Sequence, residues 1–123
     1  MLLKDFYKIL SLEKTDVQKY TAMIFVNETH DIFKGHFPGN PIMPGVCMMQ
    51  IIKELTEQIT KRTLMMQSLS NVKFMALINP EKTPELRLDL DVVETDEGTI
   101  KIKNTTLFHE TVALKLSSTY KIV

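Results

Sequence analysis

The segment from Gly35 to Gly45 constrains the fold of this chain more than any other. It contains three prolines and three glycines in eleven residues. Proline has no backbone N–H to donate, and glycine destabilises the interior of helices and strands, so neither a helix nor a central strand fits this composition. We therefore expect an ordered, turn-rich loop that leads into the next element at Pro44.

A helix is expected directly after this loop, from about Gly45 to Lys61. Pro44 suits its start, because a missing N–H is harmless at that position. Apolar residues recur at helical spacing at Met48, Ile52, Leu55 and Ile59. Polar residues follow one another at intervals of four, three and four at Gln50, Glu54, Glu57 and Lys61. The part of this stripe from Glu54 onward is predicted to be a solvated face with an i,i+4 pair.

Strands are expected on both sides of the helix. The segment from Tyr20 to Asn27 is dense in apolar and β-branched residues, which is typical of a buried strand. Between residues 86 and 92, apolar residues alternate strictly with charged ones, so one face of that strand is dry and the other wet. Further strands are expected at 72–78, 100–103 and 112–123. Residues 1–19 are compatible with either a short helix or a strand.

The order of these elements predicts an α+β fold in which an antiparallel sheet is wrapped around one long helix. The chain has 123 residues, which favours a single domain spanning 1–123, and its 44% apolar content excludes disorder. Fifteen Lys+Arg balance fifteen Asp+Glu, so the chain lacks the basic surplus of a nucleic-acid-binding protein. The single cysteine, Cys47, excludes a disulfide framework and a cysteine-based zinc site.

Neither a membrane span nor a secretory signal is expected. Apolar runs such as residues 22–26 are far shorter than the roughly 18–20 residues of a spanning helix. At the amino terminus, Asp5 precedes any apolar run of the kind found in secretory signals. No group of histidines and carboxylates has the spacing of metal ligands. We therefore expect a cytoplasmic protein without a metal site.

Residues Gly35–Val46 resemble the signature of the 3-hydroxyacyl-acyl-carrier-protein dehydratases of bacterial fatty-acid synthesis, a hotdog-fold family. The family pattern, Gly-His-Phe-Pro-Gly-x-Pro-x-x-Pro-Gly-Val, fits these twelve consecutive positions without a gap. The resemblance is looser along the rest of the chain, where Asn71–Phe74 also looks like a family segment. It implies a hotdog fold and a substrate that is an acyl thioester on acyl-carrier protein or coenzyme A, with no cofactor.

The resemblance also implies roles for individual residues. His36 would be the base that removes the α-proton, and a histidine suits proton transfer near neutral pH. The backbone N–H groups of Gly45 and Val46 would bind the thioester carbonyl, as amides at a helix start point outward with the positive end of the helix dipole. Phe37 and Pro44 would line the substrate site beside them.

The chain departs from the family pattern at the acidic position of the helix. The family carries Glu or Asp there, whereas this chain has Gln50, which cannot donate a proton as a carboxylic acid does. The family's glutamine four residues later is replaced by Glu54. Glu54 is a candidate substitute acid, although it lies one helical turn, about 5.4 Å, further along the axis.

The loss of the acid leaves three other functions open. The chain could be a catalytically impaired partner subunit in a heterodimer with an active paralogue, a hotdog thioesterase, or an acyl-binding module. In the hotdog family the site lies between two protomers, so the resemblance implies at least a homodimer in which His36 faces Gln50 of the neighbouring protomer. The free face of the strands leaves room for a trimer of dimers.

Three further residues invite functional roles that we do not assign from the sequence. Cys47 falls in the first turn of the helix, where thiol pKa values are lowered, but it is expected to be a small buried apolar side chain. His30 is expected to be a loop residue before Asp31, and His109 a turn residue.

Overall fold

The computed structural model describes residues 4–34 and 41–123, which form a six-stranded antiparallel sheet and a long α-helix. In chain order the elements are β1 (Tyr7–Asp16), β2 (Lys19–Val26), a 3-10 turn (Asp31–Phe33), α1 (Gly45–Thr60), β3 (Leu64–Phe74), β4 (Glu85–Glu94), β5 (Thr99–Phe108) and β6 (Thr111–Ile122). The strand order is β1-β2-β4-β5-β6-β3, so β1 and β3 are the two edges. This arrangement confirms the predicted α+β class.

The core lies between α1 and one face of the sheet. In β4 the residues Leu86, Leu88 and Leu90 are buried, and Arg87 between them is exposed, as the strict alternation predicted. The helix contributes the fully buried side chains Ile51, Ile52 and Leu55 to the same cluster. Full burial of a side chain of this size is worth roughly 1.5–3 kcal/mol, so this apolar contact fixes which face of α1 points inward.

Both ends of α1 agree with the predicted helix. Pro44 is its N-cap, and its carbonyl oxygen accepts from the N–H groups of Cys47 and Met48. Lys61, predicted as the last helical residue, is instead the C-cap in a left-handed conformation with φ of 59°, and its N–H donates to the carbonyl of Glu57. The last turn of α1 thus ends at a lysine with positive φ, a conformation that residues other than glycine and asparagine rarely adopt.

The strand predicted at 72–78 is wrong in its second half. β3 begins earlier, at Leu64, and ends at Phe74. Beyond that point the N–H groups of Met75 and Ala76 both donate to the carbonyl of Ala113, so the ladder does not continue. The carbonyl of Ile78 accepts from the N–H of Met43 at 2.8 Å, which ties this segment to the loop before α1 instead of to the sheet.

Residues near the amino terminus, which the sequence left open between helix and strand, form the edge strand β1. It pairs with β2, and its register shifts between Ile9 and Ser11 and again between Lys14 and Asp16. These irregularities explain why the apolar residues of β1 do not show a clear period of two along the sequence. The strand places Tyr7 inside the core, at 7% exposure.

Candidate functional site

The start of α1 presents two backbone donors. Within residues 4–34 and 41–123, no hydrogen bond involves the N–H of Gly45 or Val46, whereas those of Cys47 and Met48 donate to Pro44 at 3.0 and 3.3 Å. Val46 is also highly exposed, at 73%. Unpaired amides in a first helical turn carry the positive end of the helix dipole and suit a carbonyl oxygen or an anion. The amides of Gly45 and Val46 are therefore available to an acceptor, and their binding of a thioester carbonyl, like the substrate contact of Pro44, stays a prediction.

An apolar cavity of about 480 Å³ lies at the start of α1, with Gly45 in its wall. It is lined by Met43, Gly45, Met48, Phe74, Met75, Ala76, Leu77 and Ile78. A Cβ atom on Gly45 would lie 2.8 Å from Cζ of Phe74, so the ring approaches the helix start more closely than any side chain at position 45 would allow. Phe74, Met75 and Leu77 are each more than half exposed, which is unusual for neighbouring large apolar side chains.

Gln50 and Glu54, which the sequence separates by one helical turn, are in direct contact. Nε2 of Gln50 donates to Oε2 of Glu54 at 2.9 Å. The other carboxylate oxygen of Glu54, Oε1, accepts from the hydroxyl of Tyr7 at 2.8 Å. Glu54 is only 4% exposed, whereas Gln50 is half-buried. The amide of Gln50 is therefore bonded to a buried carboxyl group.

The prediction that Glu54 lies on a solvated face is wrong. Its side chain turns into the core because Tyr7 and Gln50 supply donors there, and buried polar groups are stable when hydrogen-bonded. Glu57 does form an i,i+4 pair, but with Lys53 on the preceding turn: Oε2 of Glu57 lies 4.0 Å from Nζ of Lys53 and also accepts from the N–H of Leu64.

Tyr7 belongs to this cluster but was not identified from the sequence. The pKa of Tyr7 is raised well above the ordinary value of a phenol, mainly by burial and also by the hydrogen bond to Glu54 and the negative charge of Glu54. Tyr7 therefore keeps its proton and is the donor in the contact. The available signal was a tyrosine in an apolar segment, since a buried tyrosine hydroxyl usually finds a partner.

Cys47, His30 and His109 lie where the sequence analysis expected them. Cys47 is buried, and burial raises its pKa, which confirms its interpretation as a small core side chain. His30 caps the 3-10 turn: its Nδ1 accepts from the N–H of Ile32, and its Nε2 lies 3.1 Å from the carbonyl of Lys4. His109 is exposed at the turn between β5 and β6.

The described residues contain neither a metal-binding cluster nor a membrane-spanning helix. Across these residues, no group of three or more His, Cys, Asp or Glu side chains could hold a metal ion. In the same part of the chain, no helix has the length and apolarity to cross a membrane. His36 and Phe37, which the resemblance assigned to the site, lie outside the described residues, so their predicted roles stay predictions.

The similarity of this chain to known families extends beyond the loop motif. The ApeI-like family, described as ApeI dehydratase, matches residues 12–112. The 3-hydroxyacyl-[acyl-carrier-protein] dehydratase FabZ of Latilactobacillus sakei is 31% identical over 105 residues, covering 80% of this chain and 72% of that protein. The FabZ of Lactobacillus helveticus is 26% identical over 113 residues, covering 81% of this chain and 75% of its own length.

Solved structures agree with this relationship at the level of the fold. The dehydratase heterocomplex ApeI:P from Xenorhabdus doucetiae superposes with a TM-score of 0.68 at 17% identity, covering 93% of this chain and 96% of the other. An uncharacterized protein from Pyrococcus horikoshii superposes with a TM-score of 0.69 at 11% identity, covering 98% and 85%. The chain therefore has the hotdog fold and belongs to the ApeI-like dehydratase family, as a relative of the FabZ 3-hydroxyacyl-[acyl-carrier-protein] dehydratases.

Proposed function

We propose that this protein dehydrates 3-hydroxyacyl thioesters, carried on acyl-carrier protein or coenzyme A, to 2-enoyl thioesters. The observation that carries the proposal is the pair of amides at Gly45 and Val46, which have no hydrogen-bond partner among the described residues and follow a sequence with the dehydratase signature. The FabZ relatives, named for activity on 3-hydroxyacyl-acyl-carrier protein, support this substrate class. A cytoplasmic location belongs to the same proposal.

The chemistry follows from the residues in order along the loop and helix. The imidazole of His36 takes the α-proton, and the electrons of the C–H bond form the C=C bond as the 3-hydroxyl group leaves. The amides of Gly45 and Val46 stabilise the negative charge that develops on the thioester oxygen. Because Gln50 has no acidic proton to supply, the imidazolium of His36 gives the proton it has taken to the leaving hydroxyl group, which departs as water.

The site is proposed to form between two copies of the chain, with His36 of one protomer facing Gln50 of the other. The exposed apolar group of Phe74, Met75 and Leu77 supports an interface, because it borders both the helix start and the edge strand β3. A trimer of dimers would use other surfaces. The ApeI:P heterocomplex favours one alternative, in which this chain is the impaired partner of an active paralogue.

A product analysis tests the reaction itself. We expect the purified protein to convert a 3-hydroxyacyl-coenzyme A or acyl-carrier-protein thioester into the enoyl thioester, measured by mass spectrometry and the absorbance of the conjugated thioester. His36→Ala should fold normally and lower the rate by about 10²-fold or more, because general-base catalysis commonly contributes about 10²–10⁴-fold.

Other products identify the alternatives. Release of the free acid from the thioester would contradict the dehydratase and support a thioesterase. Binding without any product would support a partner subunit or an acyl-binding module. A His36→Ala variant with an unchanged rate and a lowered thermal midpoint would show that His36 is structural.

Gln50→Glu is expected to raise the dehydration rate above that of the wild type. The side chains are nearly isosteric, and the new carboxyl would lie against Glu54, where Gln50 now donates at 2.9 Å. Two carboxyl groups this close hold a proton between them, since the pKa of one is raised by the other. General-acid assistance is worth about 10²–10⁴-fold, so even a poorly placed acid should be measurable by the initial rate.

Two further variants make this test specific. The double variant Gln50→Glu with Glu54→Gln restores the order of the family without placing like charges together, and it should be at least as fast. Gln58→Glu makes the same chemical change at an exposed position of α1 and should leave the rate unchanged. Folded Gln50→Glu and double variants that are no faster than wild type would contradict the proposal.

Light scattering tests the dimer. We expect a mass of at least twice 14.2 kDa at working concentration. Leu77→Glu should lower the mass to that of the monomer, because it places a charge within the apolar group. Val17→Glu is the matched control, since Val17 is equally exposed, at 73%, but lies on the turn between β1 and β2. A strictly monomeric wild type would contradict the shared site.

A further inference from the structure

A chain of three side chains leads from β1 to the surface of α1, and its hydrogen bonds have a defined direction. A carboxylate only accepts, so Tyr7 and Gln50 are both donors to Glu54: Tyr7 through its hydroxyl and Gln50 through Nε2. Burial and the adjacent carboxyl group keep the proton on Tyr7 by raising its pKa. Tyr7 is therefore the donor in its bond to Glu54.

This direction determines which end of the Gln50 amide is presented to a ligand. An amide carries its donors on the nitrogen and its acceptor on the oxygen. Because Nε2 is turned toward Glu54, Oε1 points away from that carboxylate. Turning the amide over would set its oxygen against a carboxylate oxygen and remove a hydrogen bond to a charged group, which is among the stronger kinds.

Tyr7 and Glu54 are buried, and Gln50 at the outer end of the chain of hydrogen bonds is more exposed. Glu54 is 4% exposed and Tyr7 7%, whereas Gln50 is half-buried at the outer end. Of the two bonded side chains on α1, the amide of Gln50 is therefore the more accessible to a ligand. A glutamic acid at position 50 would offer an O–H; this chain offers a carbonyl oxygen.

We propose that Glu54 and Tyr7 are positioning residues that fix the amide of Gln50, so that its Oε1 accepts a hydrogen bond from the 3-hydroxyl group of the acyl chain. The inference rests on the proposed function, which supplies the 3-hydroxyacyl thioester as the ligand. Gln50 then selects acyl chains that carry a 3-hydroxyl over saturated ones. Glu54 acts through Gln50, without touching the substrate.

Binding of two unreactive probes tests this selection. The first is a 3-hydroxyacyl pantetheine in which an amide replaces the thioester, which makes the α-proton too weakly acidic for dehydration. The second is the same compound without the 3-hydroxyl group. The measured quantity is the ratio of their dissociation constants, by calorimetry, in the wild type and in folded variants of the full chain.

The wild type should bind the hydroxylated probe about 3- to 10-fold more tightly, the usual size of one hydrogen bond. Glu54→Gln and Tyr7→Phe should reduce that ratio, with Glu54→Gln approaching equal binding, while affinity for the saturated probe stays unchanged. Glu57→Gln is the matched control, since Glu57 is a half-buried carboxylate on the same helix whose contact with the N–H of Leu64 an amide oxygen can replace. It should keep the wild-type ratio.

Three results would overturn the proposal. A wild type with no preference for the hydroxyl would remove its basis. A preference that survives in both folded Glu54→Gln and Tyr7→Phe would show that Gln50 does not need them. Equal loss of affinity for both probes would show a structural role. Failure of the proposed function is distinguishable, because a protein that prefers the hydroxylated probe and forms no enoyl product retains this inference and loses only the reaction.

Discussion

The buried carboxyl group of Glu54 is the interaction on which the site depends. A carboxylate at 4% exposure is stable only with hydrogen-bond donors, and Tyr7 and Gln50 supply two of them. These hydrogen bonds join the edge strand β1 to α1. They also make Gln50 and Glu54 one hydrogen-bonded unit, in which an amide is partly exposed and a carboxyl group is buried.

The fold could be predicted from the sequence wherever one physical signal dominated. Strict alternation along β4 and the helical spacing after Pro44 each fixed an element, because burial of one face outweighs other preferences. The signal failed at residues 76 and 78, where alternation persists but the ladder does not: Ala76 donates to the carbonyl of Ala113, and Ile78 accepts from Met43 in the loop before α1. It also failed in β1, whose bulges disturb the period of two.

The positions of the candidate residues along α1 could be predicted from the sequence, but the contact between Glu54 and Tyr7 could not, because it depends on tertiary structure. Gly45, Val46 and Gln50 lie on the first two turns of α1, so predicting the helix was enough to predict their relative positions. Glu54 was placed on the wrong face because its partner Tyr7 is 47 residues away in the sequence. No local pattern shows that a polar residue turns inward when the donor comes from another strand.

A crystal structure of the protein with the unreactive 3-hydroxyacyl pantetheine amide would show directly which group binds the 3-hydroxyl. We expect the 3-hydroxyl oxygen within about 3 Å of Oε1 of Gln50, with Nε2 of Gln50 still bonded to Glu54 and Glu54 still accepting from the hydroxyl of Tyr7. The ligand carbonyl would lie at the amides of Gly45 and Val46. A 3-hydroxyl bonded directly to the carboxylate of Glu54, with Gln50 displaced, would show that Gln50 is not the group that binds it.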